Sequence, residues 1–281
     1  MLHYHNSGDQ MPSAVVLGSC LTDLAAMFLM SEYKWKRPNN AAVLRSDHFV
    51  DKFIDRNGYL PSQDEFTALV RWKSGFEKDG PKWLAECYRD KVGHFGIPAE
   101  APGLFETLET EQIDVVLMDN LHDTHSVLLY KRSADNQPEY SLPFSMSRCE
   151  NEQELTNDFY YGSPLTAAES VNNWVRIIRF VKEKKPHARI MFFCAHSCTS
   201  TDLPDRYERA RSFHALLAPL APELGITLVP PIELPPELTR MPEDRDHFDM
   251  RVYRAMAGYI MLSQVTDLSG GIEARAGETS T

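Results

Sequence analysis

The stretch Ser13-Ala14-Val15-Val16-Leu17-Gly18-Ser19-Cys20 decides the fold. Ala14 to Leu17 form an apolar run rich in branched residues, and the run stops at Gly18-Ser19-Cys20. The segment Leu21 to Met30 then carries apolar side chains at 21, 24, 25, 28 and 29, so a buried-strand pattern gives way to a helical period at the serine. The spacing predicts a strand, a corner and a helix, with a hydroxyl at the corner. Ligands of open α/β sheets bind at the carboxyl ends of strands, and the N–H groups at a helix start can receive a developing negative charge. Ser19 is therefore a candidate nucleophile. It is equally a candidate helix cap, as is Thr22, because serine and threonine are favoured there whether or not chemistry occurs.

Working outward, the same alternation recurs. Gln112 to Met118 reads as a second buried strand, ending in Asp119-Asn120-Leu121-His122-Asp123-Thr124-His125. Ser163-Pro164 offers a cap and a first-turn proline for a long helix closed by Lys182 to Lys185 and stopped by Pro186. Arg189 to Cys194 reads as a strand, Asp205 to about Leu220 as a helix, Ile226 to Val229 as a strand, and Asp249 to Leu262 as a last helix. Between the first helix and residue 103 the chain is polar and mixed, with short amphipathic helices expected at Asp64–Trp72 and Pro81–Tyr88. Strands alternating with helices imply a three-layer α/β/α sandwich with a mostly parallel central sheet. The expected organisation is one α/β domain over residues 1–268, elaborated at 31–103, with a disordered tail at 269–281 rich in Gly, Ser, Thr and Glu.

Composition narrows the partners. With 281 residues, 43% of them hydrophobic, the chain can bury a sizeable core. A net charge of -11, from 40 acidic against 29 basic residues, argues against nucleic acid or an anionic membrane as partner. The opening Met1-Leu2-His3-Tyr4-His5-Asn6 has no export-signal pattern, and no apolar stretch approaches the roughly 18 residues of a membrane span, so a cytoplasmic protein is expected. The five cysteines include no Cys-x-x-Cys pair and are expected to be reduced.

A serine nucleophile needs a base, and the base needs a group that fixes its tautomer. His247 lies in Glu243-Asp244-Arg245-Asp246-His247-Phe248, just ahead of the last helix, and an Asp244-x-x-His247 turn would bring a carboxylate to Nδ1 and leave Nε2 for a hydroxyl. The competing reading is an acidic turn in which Asp246 or Asp249 caps the helix.

Gly18-Ser19-Cys20 after the first strand, Asp119-Asn120 at a mid-chain strand end, and Asp244-x-x-His247 before the final helix together resemble the ordered blocks of the SGNH/GDSL hydrolase superfamily. The nearest likeness is to branches with Gly-Ser-Cys in the first block, some associated with polysaccharide biosynthesis. The resemblance implies a flavodoxin-like α/β/α fold and an ester hydrolase in which Ser19 attacks, His247 is the base and Asp244 its orienter. It further implies Asn120 as an oxyanion donor beside the N–H of Ser19 or Cys20. The second-block glycine is not identified, with Gly58 and Gly75 as candidates. A carbohydrate or small-molecule ester is the implied substrate. The same residues would serve an acyltransferase using acyl-coenzyme A and a sugar hydroxyl, or a catalytically silent binding protein on the same fold.

Other residues carry weaker signals. Cys20, at a helix start, is a possible thiolate but more simply a small buried side chain. His196, in His196-Ser197-Cys198 after a strand, is expected with Asp119 to line the substrate pocket. His122 and His125 lack a clear third ligand, so no metal and no cofactor are expected. Lys34, Trp35, Lys36 and Arg37 read as a solvated face or a patch for an acidic acyl donor.

Overall fold

The computed structural model describes residues 11–38, 40–41, 45–55, 63–81, 84, 104–125, 128–132, 138–142, 144–198, 204–241 and 244–276. In chain order the elements are β1 (Ala14–Leu17), α1 (Cys20–Tyr33), β2 (Asn40–Ala41) and α2 (Ser46–Phe49), the last continuing as a π-helical turn to Ile54; then α3 (Gln63–Leu69), α4 (Leu104–Thr110), β3 (Val115–Asp119) and α5 (Leu121–His125). There follow β4 (Leu129–Arg132), β5 (Pro138–Leu142), α6 (Glu152–Leu155), β6 (Phe159–Tyr161), α7 (Ala167–Lys184), β7 (Arg189–Phe193) and β8 (Ser197–Cys198). The chain ends with α8 (Pro204–Leu217), α9 (Ala221–Leu224), β9 (Ile226–Val229), β10 (Glu233–Leu234), β11 (Thr239–Met241), β12 (Asp244–Phe248) and α10 (Met250–Ala276).

The central sheet has the order β2-β1-β3-β7-β9 and every pairing in it is parallel. Counting only these strands, the order is 2-1-3-4-5, the flavodoxin-like arrangement. Strand alternation divides the core in two. Ala14, Val16, Val115, Leu117, Met191 and Phe193 face the layer formed by α1 and α10. Val15, Leu17, Val116, Met118, Ile190 and Phe192 face the layer of α2, α4 and α7. Strands covered on both faces must be apolar at every position, which is why these segments read as continuous hydrophobic runs. The three-layer sandwich is therefore present.

A second, smaller core stands apart. The antiparallel sheet β5-β4-β6 packs Leu129, Leu142 and Phe159 against Phe66, Val70 and Leu84, so residues inserted after β3 cover part of the 31–103 elaboration. This sheet was not foreseen. Of the two short helices expected in the elaboration, α3 forms from Gln63 to Leu69, whereas most of 81–88 lies outside the described residues.

Three element boundaries differ from the sequence reading. The long helix starts at Ala167, not at Pro164, because Thr166 and Glu169 cap it reciprocally: the Thr166 N–H donates to Glu169 Oε2 at 2.8 Å and the Glu169 N–H to Thr166 Oγ1 at 3.3 Å. Such a box satisfies two helix-start donors where one serine would satisfy one. Thr239–Met241 and Asp244–Phe248 pair as the antiparallel strands β11 and β12, where a turn was expected at 244–247. The last helix runs on to Ala276, through part of the expected tail, since extending an established helix costs far less than nucleating one. Residues 277–281 lie outside the described residues.

Candidate active site

In a sheet of this order ligands bind where the chain leaves neighbouring strands for opposite layers, which here is the crevice at the carboxyl ends of β1 and β3. Leu17 pairs with Met118 and Asp119 with Phe193, so Gly18-Ser19, Asn120 and the residues after Phe193 project from one edge.

Ser19 leaves β1 in extended conformation and is the N-cap of α1, its Oγ accepting the Leu21 N–H at 3.0 Å. The capping reading therefore holds. It does not exclude a nucleophile, because a hydroxyl has a second lone pair and its own proton, and an N–H aimed at the oxygen stabilises negative charge there. Ser19 is fully buried, as are Asp119, Asn120 and His196.

Asp119 organises the corner. Its Oδ2 accepts the Ser19 N–H at 2.9 Å, the Thr22 N–H at 3.2 Å and the Thr22 hydroxyl at 2.5 Å, and its Oδ1 accepts the Leu121 N–H at 3.0 Å. Two expectations are corrected by this. Asp119 does not line a pocket with a spare carboxylate, since protein donors occupy both oxygens. The Ser19 N–H is not an oxyanion donor, since it is committed to Asp119. Gly18 makes the arrangement possible: a Cβ there would stand 2.5 Å from Asp119 Oδ2 and 2.7 Å from Thr22 Oγ1.

Asn120 is held by a main-chain group. Its Oδ1 accepts the Ala195 N–H at 2.8 Å, which sets the amide's orientation and leaves Nδ2 as the donor side. The next residue, His196, is buried at the end of β7 with Nδ1 accepting the Ile232 N–H at 3.3 Å. Burial pushes its pKa down to about 4, against the opposing influence of the Asp119 charge and the Cys194 carbonyl. Beyond it, β8 pairs with β10 and packs against β12. An open cleft of about 450 Å³ lies further along, lined by Tyr207, Arg211 and His214 of α8 and by Pro230-Pro231, immediately before Ile232.

His247 sits on β12, half-buried, one residue before Phe248. Phe248 is in the same apolar cluster as Leu21 of α1, and its N–H donates to Tyr253 Oη at 2.9 Å, so His247 stands on the α1 side of the sheet. The backbone over 244–248 is a strand and not the expected turn. Three residues of strand span about 10 Å, so the local fold does not by itself close a carboxylate onto the imidazole. The side chain of Asp244 lies outside the described residues. Asp249 caps α10, accepting the Arg251 N–H at 2.8 Å, as the alternative reading of this segment expected.

The remaining candidates separate. Cys20 is half-buried, packed against the core on the α1 side, and is not in a disulfide. Gly75 lies in an exposed turn at φ +90°, and Gly58 lies outside the described residues. The basic-aromatic segment divides: Lys34 and Lys36 are exposed, whereas Trp35 is in the core and Arg37 is buried against Asp23 at 3.0 Å, with its charge disfavoured by burial. Sequence reasoning missed the connection from Asn120 through Ala195 to His196 because a main-chain bond leaves no residue signature.

No family model and no curated protein matches the chain. Solved structures do align with it at low identity. A GDSL-like lipase from Bacteroides thetaiotaomicron aligns at 10% identity and a TM-score of 0.41, over 89% of this chain and 86% of that one. A family two carbohydrate esterase from Clostridium thermocellum aligns at 9% and 0.45, over 92% and 64%. An acetyl xylan esterase from Butyrivibrio proteoclasticus aligns at 12% and 0.41, over 94% and 66%. The functional reading rests on the residues of this chain.

Proposed function

We propose that the protein is a serine-dependent ester hydrolase acting at the β1–β3 crevice. The observation that carries this reading is the placement of the Ser19 hydroxyl at a helix start on the carboxyl edge of β1, its oxygen receiving a main-chain N–H, beside an Asn120 amide oriented by Ala195. In the proposed reaction Ser19 Oγ attacks the ester carbonyl while its proton passes to His247. The tetrahedral oxyanion is received by Asn120 Nδ2, with the helix-start N–H of Cys20 as a second donor. Collapse breaks the bond to the alcohol, which leaves with the proton from His247, and water then releases the acid from the acyl-enzyme. Asp244 is assigned the role of orienting His247. The open cleft beside Pro230-Pro231 gives the remainder of a carbohydrate ester a place along the same edge.

The test is intact-mass labelling with a fluorophosphonate. A single adduct on the native protein, absent from Ser19→Ala and greatly slowed in His247→Ala, is expected, together with hydrolysis of p-nitrophenyl acetate. No adduct, or one that persists in Ser19→Ala, overturns the assignment. Running the reaction with acetyl-coenzyme A and a sugar acceptor separates hydrolysis, which yields free acetate, from transfer, which yields acylated sugar.

A further inference from the structure

Among the described residues, His196 holds a buried ring nitrogen, Nε2, without a hydrogen-bond partner. Its other nitrogen is engaged: the Ile232 N–H meets Nδ1 with hydrogen-bond geometry. A ring nitrogen that accepts an N–H carries no proton, so the neutral imidazole has its proton on Nε2. The unpartnered atom is thus a donor. Because burial disfavours the charged ring, the donor is neutral at pH 7. A buried polar group without a partner is rare in native proteins and calls for a ligand or a water to complete it.

The place of this donor matters. Adjacent strands lie about 4.8 Å apart, so the ends of β1 and β7 stand about 10 Å apart with the end of β3 between them. A carbonyl attacked from the β1 side by Ser19 would direct its oxygen over the end of β3 toward β7. Asn120 occupies that end and is bonded to the residue preceding His196. The main-chain donor that a serine hydrolase usually takes from its nucleophile is unavailable here, since Asp119 accepts it.

We propose that the Nε2–H of His196 is an oxyanion donor, a neutral imidazole that joins Asn120 Nδ2 in receiving the negative charge formed when Ser19 attacks. The inference rests on the acyl-transfer reading above. No proton leaves His196 in this step: the hydrogen bond shortens as charge builds on the substrate oxygen and relaxes when the oxyanion collapses, while proton transfer stays with His247.

Two measurements test it, on native protein and on His196→Phe and His196→Gln. Long-range proton–nitrogen NMR of the ring should show the Nε2–H tautomer from pH 6 to 8. With p-nitrophenyl acetate, His196→Phe should lower kcat on the order of 10²- to 10³-fold with KM little changed, the loss typical of a missing oxyanion donor, and His196→Gln, which retains an N–H, should recover most of it. A ring protonated on Nδ1, a Phe variant with near-native kcat, or a folded Gln variant as poor as Phe overturns the role. Should the Phe variant fail to fold, the tautomer and the Gln variant decide. Fluorophosphonate labelling separates the two readings: an unlabelled native protein overturns both, whereas a native protein labelled at Ser19 with a near-native His196→Phe overturns this inference alone.

Discussion

Replacing Gly18 with alanine tests whether the Ser19 corner depends on the Asp119 clamp. The added Cβ would lie 2.5 Å from Asp119 Oδ2 and 2.9 Å from its Cγ, closer than real carbon contacts permit. To reach 3.4 Å, an ordinary contact, the oxygen must retreat by about 0.9 Å, and a Ser19 bond now at 2.9 Å then stretches to as much as about 3.8 Å, outside hydrogen-bond range. Three donors share that oxygen, and hydrogen bonds to a charged group contribute roughly 1.5–3 kcal/mol each. Partial relaxation keeps some of this, so Gly18→Ala should cost about 3 kcal/mol. For a chain of this size that corresponds to a fall in Tm of about 6–12 °C. Urea unfolding and thermal scans measure the loss directly, and Ser19 labelling should slow in parallel in protein that remains folded. A variant with native Tm and native labelling rate would refute the reasoning, because the clash is with a carboxylate held from four sides.

Two buried groups should impose opposite pH slopes on stability. Asp123 accepts the Ser46 N–H, the Ser46 and Ser170 hydroxyls and the Trp174 indole N–H, and burial raises its pKa to about 6. The folded state then binds the extra proton between about pH 4 and 6, so Asp123 makes stability fall as pH rises through that window, by up to about 3 kcal/mol. His196, lowered to about 4, does the reverse: the unfolded chain takes up the proton first, and stability is lost as pH falls from 6.5 toward 4. Urea unfolding between pH 4 and 7 should show Asp123→Asn steepening the acid loss and His196→Gln flattening it; parallel curves for native and variants would contradict both assignments. Arg37→Met should cost about 3–5 kcal/mol by leaving Asp23 buried beside a missing cation, and combining it with Asp23→Leu should recover part of that in a double-mutant cycle. Additive losses would show that the pair is not coupled.

The central sheet was legible because each of its main strands is covered on both faces, so Val15, Val116 and Phe192 had to be as apolar as the neighbours pointing the other way. The antiparallel sheet was not, because Leu129, Leu142 and Phe159 come from short segments whose partners, Phe66 and Leu84, lie far away in sequence. The placement of Ser19 and Asn120 at one edge of the sheet could be read because residue type and strand end coincide. The function of Asp119 could not, since an aspartate that binds substrate and one that clamps a helix start look alike until its donors are known. The Asp244–His247 spacing suggested a turn, but antiparallel pairing of 244–248 with the neighbouring 239–241 set the backbone as a strand instead.

The Asp119 clamp also bears on what this edge can retain. The positive end of α1 is a place where a carboxylate or phosphate from solution would ordinarily settle. Here the protein has installed its own anion, with Oδ2 on the Ser19 and Thr22 N–H groups. On the proposed reading, an acid released from Ser19 would find that berth occupied and meet like charge nearby, which would favour departure of the product and select for neutral esters over anionic ones.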